Sequence, residues 1–113
     1  MHEHHSVEHI VEHALEEAEK RKAKKVLKII LGIGELLNYD DEAVRMYFAQ
    51  FAAGTVLEGA EVEIRPIRAK FYCRKCESLF EHGKGVFNCP ECGSFGSITD
   101  TGNELFIEGM ETE

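Results

Sequence analysis

Four cysteines stand in two identical hooks, Cys73-x-x-Cys76 and Cys89-x-x-Cys92, with twelve residues between them. Each hook makes a knuckle whose two thiolates reach one ion from the same side. Two knuckles on adjacent hairpins complete a tetrahedron of sulfur, a geometry that Zn²⁺ accepts. Four thiolates leave no open coordination position, so such an ion is structural rather than catalytic. Pro90 inside the second knuckle and Gly93 after it suit tight turns. A thioredoxin-like redox pair needs one Cys-x-x-Cys beside a βαβ unit, whereas this chain has two in a ribbon context. Spacing alone also admits iron in the same geometry. A nucleic-acid ribbon is a further reading, but residues 70–99 set Lys70, Arg74, Lys75 and Lys84 against Glu77, Glu81 and Glu91, which is no basic patch.

The second group with chemistry is Met1-His2-Glu3-His4-His5, and four of the six histidines fall within the first nine residues. A solvated polar tail is the bland reading, but the run enters the first helix without a linker. The sharper reading is chelation. A free α-amine, the backbone nitrogen of His2 and its imidazole can close adjacent rings around one ion, and such nitrogen-rich tetragonal sites suit Ni²⁺ and Cu²⁺ alike. Glu3 adds a carboxylate or its own amide. His2 is a large second residue, so Met1 and its amine are expected to stay. His9 and His13 form an i, i+4 pair opposite the apolar stripe, read first as a solvated helix face with a second metal site as the alternative. His82 reads as a loop surface residue, because four cysteines already suffice.

These groups need elements to hold them. Residues 6–22 predict an amphipathic helix, with Val7, Ile10, Val11, Ala14, Leu15 and Ala18 in one stripe and Ser6 as N-cap. Residues 25–35 predict a strand with Leu27, Ile29, Leu31 and Ile33 on one face, and with Gly32 and Gly34 marking a bulge or close packing. Asn38-Tyr39-Asp40-Asp41 signals a turn and cap before a second helix over 41–53, ended by Gly54. Residues 60–69 predict a strand with Val62 and Ile64 inward, where Pro66 points to an edge, bulge or strand end. Residues 103–111 predict a last strand that rejoins the sheet. The fold class is α+β: a small mixed sheet with two helices, plus an inserted four-cysteine zinc ribbon lobe. The expected division is an α+β nickel-binding domain at 1–69 and 100–113, and a zinc-binding domain at 70–99.

Composition narrows the classes. The chain of 113 residues is 43% apolar, enough for a modest core, and its formal charge of −8 argues against a nucleic-acid backbone as the main ligand. The longest apolar run, Val26 to Ile33, is broken by Lys28 and far too short to span a bilayer. No apolar segment follows a basic start, so the expected location is cytoplasmic, where cysteines are metal ligands more often than disulfides. No nucleophile with its base and no phosphate loop is visible, so no enzyme is expected.

Taken together, these features resemble the HypA-type nickel-insertion accessory proteins of [NiFe]-hydrogenase maturation, over essentially the whole chain. The resemblance rests on Met1-His2-Glu3, Ala14-Leu15-Glu16-Glu17-Ala18, Gly32-Ile33-Gly34-Glu35-Leu36 and Gly54-Thr55-Val56-Leu57-Glu58-Gly59-Ala60. The two knuckles and Glu104-Leu105-Phe106-Ile107-Glu108 complete it. It implies nickel at His2 with the Met1 amine and Glu3, and zinc at Cys73, Cys76, Cys89 and Cys92. It also implies a HypB-type GTPase partner and delivery to the hydrogenase large subunit precursor, or to urease in some organisms. Asp40 falls where the family often has an acidic residue, and is a further candidate for the nickel site. Two departures stand out. His4 and His5 replace an apolar and a small residue, and become further candidate nickel ligands. Glu77 and Gly93 stand where some relatives carry histidine after a knuckle, so a pH-sensing role is not carried over. The alternative function is a zinc-ribbon interaction module without nickel transfer.

Overall fold

The computed structural model describes residues 2–81, 88–99 and 101–113, and the side chains of His2 and Glu3 lie outside the description. Helix α1 (His2–Lys20) leads into strand β1 (Val26–Gly34), a 3-10 turn (Glu35–Leu37), helix α2 (Asp41–Ala52) and strand β2 (Glu61–Ile67). Three short strands follow, β3 (Lys70–Cys73), β4 (Ser78–Glu81) and β5 (Ser97–Ile98), and β6 (Leu105–Thr112) comes last. They make two three-stranded sheets, in the orders β2-β1-β6 and β4-β3-β5. The radius of gyration is 17.2 Å. A compact domain of this length has about 13 Å, so the two sheets lie end to end. Among the described residues, no helix is long and apolar enough to cross a membrane.

In the first sheet β1 is central, parallel to β2 and antiparallel to β6. The parallel pair requires a crossover, which α2 supplies. Both helices lie on one face. Val7, Ile10, Val11, Ala14 and Ala18 of α1 meet Ile29, Leu31 and Ile33 of β1 and Val44, Phe48 and Ala52 of α2 in one buried core. The opposite face carries an ion-pair chain in place of a helix. Lys28 Nζ lies 3.0 Å from Glu63, Glu63 lies 2.8 Å from Arg65 Nε, and Arg65 reaches Glu108 at 3.9 Å. Hydrogen bonds from Arg65 and Lys28 hold the Glu63 carboxyl below its ordinary pKa.

The expected fold class holds, with two corrections. Helix α1 starts at His2, so Ser6 is no N-cap: it lies inside the helix, and its hydroxyl is hydrogen-bonded to the Tyr39 hydroxyl at 2.8 Å. The polar start carries no apolar period, and a tertiary contact extends the helix instead. The half-buried His4 ring meets Tyr47 and Phe51, both at 5.1 Å between centroids. Such ring pairs are worth about 0.5–1.5 kcal/mol each and the hydroxyl pair about 1. Together they offset part of the entropic cost of about 1–2 kcal/mol for each residue ordered. The second correction is Leu27, which is 45% exposed while Val26 is fully buried. A register shift between Val26 and Lys28 breaks the alternation there.

The remaining signals read as expected. Asn38 takes the left-handed conformation, Asp40 occupies the N-cap position of α2, and Gly54 follows that helix at φ +78°. Pro66 sits on an edge strand. Gly32 and Gly34 mark close packing. A Cβ on Gly34 would lie 2.1 Å from the carbonyl oxygen of Gly102, which is backbone and has nowhere to go. Gly34→Ala is therefore expected to cost about 3 kcal/mol, read as a lower denaturant midpoint; an unchanged midpoint would refute this contact.

Candidate metal centre

The ribbon begins where β2 ends. Its two connecting segments are clamped to the first sheet by hydrogen bonds. The Ala69 N–H donates to the Glu35 carboxylate, and the Leu36 N–H donates to the Gly102 carbonyl at 2.8 Å. The Lys70 N–H donates to Thr101 Oγ1 at 2.7 Å, and Thr99 Oγ1 donates back to the Lys70 carbonyl at 2.6 Å. From this neck β3 and β4 form a hairpin, in which Tyr72 faces Leu79 and Cys73 faces Ser78. The hairpin places Cys73 at its tip and Cys76 in the turn. The second knuckle is closed by an Asn88–Phe95 bridge, with Cys89 and Cys92 between the paired residues.

Local backbone chemistry shapes both knuckles alike. The residue after the second cysteine of each is left-handed, Glu77 at φ +53° and Gly93 at φ +75°. The Gly93 N–H donates to the Cys89 carbonyl at 2.8 Å, and the Cys89 N–H donates to the Ser94 carbonyl at 2.7 Å. In the first knuckle the Cys76 N–H donates to Cys73 Sγ at 3.4 Å.

The four Sγ atoms converge. Cys73 and Cys92 are 3.4 Å apart, Cys76 and Cys89 are 3.8 Å apart, and all four lie within 4.8 Å of one another. A tetrahedron with a metal–sulfur distance of about 2.3 Å has edges of about 3.8 Å, so the cluster has the size of a tetrathiolate site. All four cysteines are free thiols. Cys73 and Cys89 are buried, Cys76 is half-buried and Cys92 is exposed. Hydrogen bonding to Cys92 and Cys89 pushes the Cys76 thiol up to about 12, whereas the Ser94 hydroxyl and amide bring Cys92 down to about 6.

The N-terminal candidates divide. Met1 and the side chains of His2 and Glu3 lie outside the described residues, as does His82. His4 is packed on α2, and His5 is exposed on α1. The imidazole of His4 fills the place where an apolar residue was expected. Asp40 is exposed and makes no side-chain cap bond. It follows Tyr39, which touches Ser6, so it stands near the first turns of α1. No sequence signal pointed to the Ser6–Tyr39 contact or to the Glu35 clamp on Ala69, since each joins residues more than thirty positions apart.

Fold and cluster together define a small metal-binding protein: a helix-covered sheet bearing a ribbon lined by four thiols. A family model described as "Hydrogenase/urease nickel incorporation, metallochaperone, hypA" matches residues 1–112. The chain is 43% identical over 89 residues to the hydrogenase maturation factor HypA of Caldanaerobacter subterraneus subsp. tengcongensis, covering 78% of each chain. It superposes on a solution structure of HypA protein with a TM-score of 0.72 and 27% identity, covering 100% of this chain and 97% of that one. For the solution structure of the Ni metallochaperone HypA from Helicobacter pylori, the TM-score is 0.68 at 25% identity, covering 97% and 96%. The chain therefore belongs to the HypA family of nickel-incorporation metallochaperones, which serve hydrogenase maturation as factors and not as enzymes.

The differing environments of the four thiols give a direct check. On brief alkylation of the metal-loaded protein, Cys92 is expected to be modified first and Cys73 last, because Cys92 is exposed and Cys73 is fully buried. Peptide mapping of partly labelled protein reads this order, and preferential labelling of Cys73 would contradict it.

Proposed function

We propose that this protein binds Ni²⁺ at its N-terminus and delivers it to the [NiFe]-hydrogenase large subunit precursor, with a HypB-type GTPase as partner, in the cytoplasm. The Met1 amine, His2 and Glu3 form the nickel set, with His5 and Asp40 as neighbouring candidates and His4 serving chiefly to pack α1 on α2. Zn²⁺ is held by Cys73, Cys76, Cys89 and Cys92 as a structural ion that makes residues 70–99 a folding unit of their own. Nickel is the cargo. The observation that carries this reading is the family match over residues 1–112, which takes in Met1-His2-Glu3.

Two features of the chain support it. A helix beginning at His2 leaves its first N–H groups without intrahelical partners. The backbone nitrogens beside Met1 are thus not committed to the helix and can join a chelate. The ribbon thiols match a tetrathiolate site in size, as zinc requires. The alternative, an interaction module without nickel transfer, draws on the exposed Leu79, Phe95 and Ile98 of the ribbon.

Calorimetric nickel titration of the untagged protein separates the two. A Gly-Ser extension before Met1, or His2→Ala, is expected to reduce nickel affinity greatly while leaving zinc content and the nickel-free thermal transition unchanged. Affinity should also fall as pH drops through about 6.5, where imidazole gains a proton and loses its donor pair. An extended protein that binds as tightly as the native one would remove the amine from the ligand set. Absence of nickel binding in the native protein would favour the interaction module.

A further inference from the structure

The start of α1 at His2 has a geometric result. His5, His9 and His13 now fall at successive i, i+4 positions of one continuous helix, and each is exposed. Glu8 and Glu12 precede His9 and His13, so the run reads His-x-x-Glu-His twice over residues 5–13. Residues four apart on a helix stand about 5–6 Å apart at Cβ, which lets two imidazoles close on one ion at about 2.0–2.1 Å each. The face has no part in the core, whose α1 members are Val7, Ile10, Val11, Ala14 and Ala18. Nothing in packing accounts for imidazoles at this spacing.

The histidines are not equivalent. His5 is engaged edge-on with the His4 ring, at 5.5 Å between centroids. His9 instead turns Nδ1 towards the Glu12 carboxylate at 3.7 Å, with both side chains well exposed. That separation is too long for a hydrogen bond, but a carboxylate on the Nδ1 side favours a proton there and leaves Nε2, directed away from Glu12, as the donor to a metal. His13, one turn on, borders a groove of about 480 Å³ between α1 and β6, whose wall carries Glu16, Glu17 and Glu108 together with Lys20 and Arg21.

We infer that His9 and His13 form a second metal site, a two-nitrogen clamp on α1 for a borderline divalent cation such as Ni²⁺, with Glu12 as positioning residue. Water completes the coordination shell, so the ion exchanges readily. The site is separate from the terminal chelate: seven residues of helix put His9 about 10 Å from His2. It stands whether or not the terminus binds nickel.

The test uses full-length, zinc-loaded, untagged protein whose terminal chelate has been removed by a Gly-Ser extension and His2→Ala. Titration with nickel chloride is expected to show one saturable event. His9→Ala or His13→Ala, each alone, should abolish it, Glu12→Gln should weaken it about tenfold, and His5→Ala should leave it unchanged. Because a clamp bridges one helical turn, nickel should also raise the thermal midpoint of the terminus-blocked protein, and should not do so after His9→Ala. Circular dichroism without nickel verifies that each variant is folded, as expected for exposed positions. Absence of a saturable event in the terminus-blocked protein, its survival in both His9→Ala and His13→Ala, or its loss in His5→Ala would overturn the assignment. Titration of the native terminus carrying His9→Ala/His13→Ala reports on the terminal site by itself, so failure of one site is not mistaken for failure of the other.

Discussion

Strand β1 has both edges occupied and its inner face covered, and the rest of the α/β half is placed by reference to it. Its residues pair with β2 from Lys28 to Gly34 and with β6 from Val26 to Ile33. Such a strand can tolerate little side-chain bulk where another segment crosses it, which is why it ends in Gly32-Ile33-Gly34. Phe106 lies over Gly32 and the Gly102 carbonyl lies against Gly34. The second contact also brings the return segment from the ribbon to the end of β1, where Glu35 and Leu36 engage the neck. Core packing and ribbon attachment thus depend on the same few ångströms of backbone approach.

The ribbon is organised on another principle. Between Lys70 and Thr99 the buried described residues are Phe71, Cys73, Cys89 and Gly96, two of which are thiols of the cluster. Phe71 and Phe80 stack at 5.9 Å around Gly96, a very small apolar centre. A lobe so poor in core needs crosslinking, which an ion held by the four thiols would supply without disulfides. The neck then has a distinct task, since it must hold a sparsely packed lobe against a conventionally packed one.

Much of this was legible in residue pattern. The stripe from Val7 to Ala18 located α1, the turn at Asn38–Asp41 located α2, and Cys-x-x-Cys spacing foretold the convergence of four sulfurs, because a knuckle is a local structure with a local signature. Failures came where distant residues decided the outcome. The sequence offered His4 as a further candidate ligand and gave no sign that Tyr47 and Phe51 receive its ring. Leu27 fitted an alternating face until the bulge opposite β6 turned it outward. Strands β3 to β5 run for two to four residues each, too short for any period to emerge.

One consequence of the strand order concerns synthesis. The sheet is not complete until β6 takes its place beside β1, and β6 contributes Leu105, Ile107 and Met110 to the margin of the core. A ribosome makes the terminal histidines first and β6 only after both knuckles. The nascent α1 and β1 must therefore wait, with an unpaired strand edge, while the ribbon emerges. A chain stalled within the ribbon would leave α1 on an unfinished sheet, so full-length translation becomes a checkpoint on when the α/β half is complete.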